Sequence, residues 1–247
     1  MEVKGLLFDL GGTLFSYPRS RGMGGALLEA AATLGVDAPP EVVGRAWGAA
    51  NEAAMRRYAS EAYFLHRNLF HDALVAFAAS FDRTVSDSVA ERFQAAQRQL
   101  VIEHLPIRRE CHDALAELKS RGLYLAIVSN IDDDYLHPLV EKHDLHRWLD
   151  HWTSSEEAGS CKPHTGIYHY ALGKAGLTVG ETLFVGDSLH HDVAGASAVG
   201  MRSARITEEG VSTPLTSGLS VTAEPDFHIT TLTELINIVD ALNGRNA

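Results

Sequence analysis

The acid that closes the first apolar run is the residue of this chain best placed to do chemistry. Gly5-Leu6-Leu7-Phe8 reads as a short buried strand, Asp9 ends it, and Gly11-Gly12 turns the chain away at once. A carboxylate at the C-terminal tip of a buried strand stands where open α/β sheets gather their ligands. A second acid two residues on would complete a pair of nucleophile and proton carrier; that place is held by Gly11. Three other segments put polar residues just after an apolar strand or at a helix start. Ser129-Asn130 follows Ala126-Ile127-Val128, Lys162-Pro163 precedes a helical pattern over 165–175, and Gly186-Asp187-Ser188-Leu189-His190-His191-Asp192 follows Leu183-Phe184-Val185. If the strands are parallel, all four groups share one edge and converge on one crevice.

The set suits phosphoryl transfer, which needs an in-line oxygen nucleophile and positive charge around the equatorial oxygens. Asp9 supplies a nucleophile able to form an acyl-phosphate. Asp9 and Asp187 with a backbone carbonyl make a hard-oxygen site for Mg²⁺, and the cation lets an anionic carboxylate approach an anionic phosphate. Lys162 adds fixed positive charge, and Ser129 with nearby backbone N–H groups can hold a phosphate oxygen. Asp192 fits two roles equally, an N-cap for a small-residue helix over 193–199 or a support behind the site.

The elements that must position these residues alternate between strand and helix. Apolar runs at 3–8, 123–128, 182–185 and 201–206, with weaker ones near 148–152 and 227–229, are separated by helical patterns over 108–121, 133–143, 165–175 and 232–242. Such alternation predicts a parallel sheet with helices on both faces. From about Ser16 to about Leu105 the alternation stops. Ala-rich helical patterns take over at 25–34, 40–58, 63–81 and 86–103, so a helical insertion leaves the chain straight after the Asp9 strand. This predicts an α/β core from 1–15 and 106–247 and a helical lid from 16–105 that encloses a small substrate. Residues 207–225, rich in Ser, Thr, Gly, Pro and Glu, read as a surface loop.

In order and spacing the four segments resemble the motifs of the haloacid dehalogenase superfamily, in the branch with an α-helical cap inserted after the first motif. The residues that carry the resemblance are Phe8-Asp9-Leu10-Gly11-Gly12-Thr13-Leu14, Ile127-Val128-Ser129-Asn130, Lys162-Pro163 with Ile167-Tyr168, and Val185-Gly186-Asp187 with Asp192. The resemblance spans nearly the whole chain and implies a doubly wound, mostly parallel, Rossmann-like α/β fold. It implies Asp9 as nucleophile, Ser129, Asn130 and Lys162 around the transferring group, and Mg²⁺ held by Asp9, Asp187 and the backbone carbonyl of Gly11. Thr13 and Asp192 fall behind them as supports.

Phosphatases of that family usually carry a second aspartate where Gly11 stands, and general acid–base help of that kind is worth roughly 10²–10⁴-fold. Its absence leaves a phosphatase with an undemanding leaving group or a substitute acid, for which His66 and His71 are candidates. A 2-haloacid dehalogenase also fits a non-acidic residue there, since a halide needs no proton, and Tyr168 matches a tyrosine of those enzymes. The acid at Asp187 argues against it, because an extra carboxylate repels a haloacid. A phosphonatase would need a cap lysine, and residues 16–105 contain none. A binding or regulatory protein that kept the pocket but lost turnover is the remaining class. The expected activity is Mg²⁺-dependent hydrolysis of a small phosphate ester.

Composition narrows the partners. The 247 residues carry a formal net charge of −11, which disfavours a nucleic-acid binder. Two cysteines, Cys111 and Cys161, make no disulfide framework, and thirteen histidines form no zinc-ligand spacing. No N-terminal stretch is long and apolar enough for a signal peptide or membrane span. A cytoplasmic protein without a membrane or nucleic-acid partner is expected, and a homodimer is compatible with the sequence.

Overall fold

Six strands pair in the order β3-β2-β1-β4-β5-β6, every one parallel to its neighbours. They are β1 (Gly5–Phe8), β2 (Tyr124–Ser129), β3 (His151–Ser154), β4 (Thr182–Gly186), β5 (Arg202–Ile206) and β6 (Phe227–Ile229). The computed structural model describes residues 2–17, 24–209 and 222–244. Most of the loop expected over 207–225 lies outside them. β1, β2 and β4 are near-continuous apolar runs because each is flanked on both sides and covered on both faces.

The helices are α1 (Gly24–Thr33), α2 (Pro40–Tyr58), α3 (His66–Ala79), α4 (Asp87–His104), α5 (Cys111–Ser120), α6 (Asp133–Lys142), α7 (Ser155–Ala158), α8 (Thr165–Ala175), α9 (Gly195–Ala198) and α10 (Glu234–Leu242). The chain forms two compact units, one of Met1–Tyr17 with Pro106–Ala247 and one of Pro18–Leu105. In the helical unit, α2 starts on Pro40, whose fixed φ and missing N–H suit a first helical turn. Its core gathers Leu27, Val43, Leu74, Phe77 and Phe93, with Trp47 edge-on to Phe77 and Phe93.

In the sheet unit, α8 lays Ile167, Tyr168, Ala171 and Leu172 onto Leu7, Ala126, Val128 and Phe184. Fully burying one such large apolar side chain is worth about 1.5–3 kcal/mol, so α8 is held firmly against the strands whose tips bear the polar residues. Tyr168 sits 5.1 Å, centroid to centroid, from Phe184.

Two elements differ from the sequence expectation. The third strand begins at His151, later than the 148–152 run implied. Leu145–Arg147 coil into a 3₁₀ turn, Trp148 donates its Nε1–H to His112 Nδ1 at 3.1 Å, and the Asp150 carboxylate accepts from Leu125 N at 2.9 Å. The aromatic run therefore anchors the approach to the strand. The helix expected over 193–199 starts early, as a π-helical turn Leu189–Ala194 that runs into α9, because Ser188 caps it through His191 N at 3.0 Å. Asp192 thus lies inside the turn and does not cap it.

Candidate active site

The strand order turns back on itself between β1 and β4, and in an open parallel sheet that reversal opens a crevice at the carboxyl ends. Phe8 is level with Ile127 on β2 and Val185 on β4, so Asp9, Ser129 and Asp187 leave neighbouring strand tips at the same edge. Asp9 is 8% exposed, Lys162 3% and Asp192 1%. Ser129 Oγ donates to Asp9 Oδ1 at 2.9 Å, and Lys162 Nζ donates to the same oxygen at 2.6 Å. Lys162 also donates to Asp192 Oδ1 at 2.6 Å. Both hydrogen bonds to Asp9 reach Oδ1, which orients the carboxylate while its other oxygen takes no part in either bond.

Close approach fixes the two loops that carry the acids. Gly12 has φ +80°, and a Cβ there would strike the Asp187 carboxylate; a Cβ on Gly186 would strike that of Asp192. Only glycine lets the backbones come this near. Asp192 Oδ2 accepts from Ser188 N at 2.9 Å, so the buried carboxylate is held at both oxygens. Tyr168, fully buried, donates from its hydroxyl to His191 O at 2.5 Å and props the same turn from below.

Burial pulls the Lys162 ammonium down, yet the carboxylates of Asp192 and Asp9 outweigh it and the net shift is upward. Burial pushes Asp192 up, Lys162 pulls it back, and Asp9 pushes it up again, for a net rise. In both groups the neighbouring charges act on top of burial: two carboxylates share the single Lys162 ammonium. Asp187 adds a third carboxylate, with ligand oxygens of Asp9, Asp187 and Asp192 all within 4.8 Å of one another. Hard oxygens in negative excess are the donor set that suits Mg²⁺, so the residues fit that ion.

Of the residues singled out from the sequence, Asp9, Ser129, Lys162, Asp187 and Asp192 come together. Asn130 packs its amide against the Lys162 segment. Its Nδ2 donates to Lys162 O at 2.8 Å and its Oδ1 accepts from Lys162 N at 2.6 Å, so its amide clasps the lysine's backbone. Thr13 is fully buried beneath the first loop, and its Oγ1 has no partner among the described residues. Gly11 offers its carbonyl, which accepts from the Tyr17 hydroxyl at 3.1 Å. His66 is buried in the helical unit, its ring 4.9 Å from that of Phe64.

Sequence reading missed three supports. Tyr17 folds over Gly11, Arg108 Nη2 donates to Gly12 O at 2.9 Å, and Arg205 Nε donates to Asp187 O at 3.0 Å. The two arginines hold the two acid-bearing loops by their carbonyls. Neither stands in a motif, and the register Gly186↔Arg205 between β4 and β5 that brings the second one close is invisible without the sheet.

A doubly wound parallel sheet with a buried carboxylate, ammonium and hydroxyl at its switch point is the architecture of an α/β protein with a group-transfer site. Residues 3–200 match the family model described as haloacid dehalogenase-like hydrolase, and the chain belongs to that family. It is 28% identical over 237 residues to the ribulose-1,5-bisphosphate 5-phosphatase of Halopiger xanaduensis, covering 95% of this chain and 98% of the relative. Further relatives are named as phosphatases of phosphoglycolate and of glyceraldehyde 3-phosphate. Among solved structures, the magnesium-bound putative hydrolase YfnB of Bacillus subtilis superposes with a TM-score of 0.74 at 17% identity, over 97% of this chain and all of that one. The L-2-haloacid dehalogenase of Xanthobacter autotrophicus superposes with a TM-score of 0.67 at 25% identity, over 96% and 98%.

Proposed function

We propose that this protein is a Mg²⁺-dependent phosphatase that hydrolyses a small phosphorylated metabolite through an aspartyl-phosphate on Asp9. The observation that carries the reading is the strand-tip carboxylate of Asp9, held by a buried ammonium at 2.6 Å and a serine hydroxyl at 2.9 Å with two more carboxylates beside it. An Asp9 oxygen attacks phosphorus, the bond from phosphorus to the ester oxygen breaks, and the leaving oxygen keeps the electron pair and takes a proton from water to become the alcohol; water then attacks the acyl-phosphate and frees Asp9 and inorganic phosphate. Ser129 and Lys162 hold the phosphoryl oxygens, Asn130 keeps Lys162 in place through its backbone, and Asp192 keeps its ammonium aimed at Asp9. Asp9, Asp187 and the Gly11 carbonyl would hold the ion, which when bound offsets the repulsion between carboxylate and phosphate.

The 2-haloacid dehalogenase reading is weaker, because three carboxylates around one ammonium repel a substrate that is itself a carboxylate. We assign residues 16–105 the role of cap, on their insertion in the chain straight after the Asp9 strand. No helix among the described residues is long and apolar enough to cross a membrane; we place the protein in the cytoplasm, as a monomer or homodimer. The Halopiger relative, by its name, takes a sugar bisphosphate, which makes sugar phosphates the first class to screen. The test is phosphate release from a panel of esters with Mg²⁺ present. Turnover should vanish in Asp9→Asn and on chelation, and chloride release from 2-chloropropionate should be undetectable. Phosphate release that survives Asp9→Asn would refute the nucleophile.

A further inference from the structure

The side-chain position of residue 11 is taken. A Cβ built on Gly11 would lie 3.0 Å from the Tyr17 hydroxyl oxygen and 3.3 Å from the ring carbon Cε1. Both are tighter than ordinary van der Waals contact. The ring of Tyr17 also presses against the place where a Cβ of Gly12 would be. The hydroxyl is held there by its hydrogen bond to the Gly11 carbonyl at 3.1 Å. Chain direction does not require this placement, since Tyr17 is six residues further on and Ser16 N is already bonded to Pro106 O at 2.9 Å.

We propose that Tyr17 stands in for the side chain that position 11 lacks, and that its hydroxyl donates a hydrogen bond to the leaving oxygen of the substrate. This rests on the phosphatase reading. Carboxylates crowd the crevice and as anions can only accept, so a leaving oxygen gaining negative charge needs a neutral or positive donor beside it. The phenol is such a donor. A phenol ordinarily keeps its proton up to about pH 10. As the Asp9 oxygen bonds to phosphorus, the electron pair of the breaking bond passes to the leaving oxygen. Tyr17 turns its single O–H from the Gly11 carbonyl to that oxygen and keeps the proton, which leaves the carbonyl free to face the ion, and water supplies the proton that completes the alcohol. Gly11 is then the condition for this fit: a Cβ at position 11 forces the phenol to give way by a few tenths of an ångström, and a branched side chain asks for more.

The role predicts a dependence on leaving-group basicity that a merely structural residue does not have. Rates are compared on phenyl, 4-chlorophenyl and 4-nitrophenyl phosphates with Mg²⁺ for the wild type and Tyr17→Phe. Losing one such donor costs about 10²-fold where the leaving oxygen carries the most charge. The 4-nitrophenyl to phenyl rate ratio should therefore rise at least about tenfold in Tyr17→Phe. A uniform loss, or none, overturns the leaving-group role. A second arm needs no activity. Gly11→Val should lower Tm in the wild type and lower it much less in a Tyr17→Ala background, and an equal loss in both overturns the shared-space claim. A wild type inert on every ester overturns the phosphatase reading and the leaving-group role with it, while the Tm cycle still decides whether the two residues share one space.

Discussion

Removing Lys162 should cost the fold as well as the activity. Its ammonium is buried, reaches Asp9 and Asp192 at 2.6 Å each, and lies 5.2 Å from the centroid of the Phe184 ring. Lys162→Met keeps the volume and deletes the charge, leaving two buried carboxylates face to face. Breaking a buried ion pair from one side costs about 3–5 kcal/mol. At about 2–4 °C per kcal/mol for a chain of this size, Tm should fall by roughly 6–20 °C. Calorimetry is the assay, since it reads Tm directly. The cost arises from the orphaned acids, so Lys162→Met with Asp192→Leu should recover at least about 1.5 kcal/mol relative to the sum of the single variants. If the two losses simply add, the lysine is not neutralising Asp192, and the account of why the carboxylate tolerates burial is wrong.

Other expectations follow from the same geometry. Gly186→Ala puts a methyl group on the Asp192 carboxylate; it should destabilise by about 1–3 kcal/mol and lower turnover, and a variant of unchanged Tm and rate would refute the close approach. Mg²⁺ should raise Tm by mass action on the folded state, and Asp187→Asn should blunt that rise; equal rises in both would remove Asp187 from the ion site. His151, hydrogen-bonded through Nδ1 to the Tyr124 hydroxyl at 2.7 Å, is pushed down to about 4, chiefly by burial. Its folded value is below the unfolded one of about 6.5, so the unfolded chain binds the proton more readily. The stability contributed by neutral His151 is thus present above about pH 6.5 and is lost as pH falls towards 4, by about 1–2 kcal/mol once solvent access is allowed for. Chemical denaturation of wild type and His151→Gln between pH 7 and 4.5 tests this, and parallel curves would refute it.

How much of this could be read from the letters depends on whether the information is local. The strands β1, β2 and β4 were legible because burial on both faces makes them near-continuous apolar runs, and the acids and hydroxyls at their tips interrupt those runs abruptly. β3 was blurred because Trp148 and Leu149 belong to the approach, while the strand itself carries Thr153 and Ser154, polar residues buried without any apolar signature. Asp192 could not be assigned because a cap and a clasp for a distant ammonium have the same sequence appearance; the bond to Lys162 spans thirty residues and decides it. The clasp of Asn130 on the Lys162 backbone is hidden for a similar reason, since it depends on the path of the chain. Tyr17, Arg108 and Arg205 act on backbone carbonyls of other loops, and no pattern of residue types announces such a contact.

The position of β1 has a consequence for how the chain is made. Gly5–Phe8 is synthesised first but sits mid-sheet, between a strand that begins at Tyr124 and one that begins at Thr182. At ribosomal speeds of about 5–20 residues per second, the delay before its second neighbour emerges is roughly ten to thirty seconds. Throughout that interval an apolar, edge-exposed tetrapeptide must be kept from pairing with the wrong strand. A nascent chain halted before Thr182 carries the whole first loop and its aspartate, yet lacks the β4 tip with Asp187 and Asp192, so the acidic cluster is assembled late in synthesis and all at once.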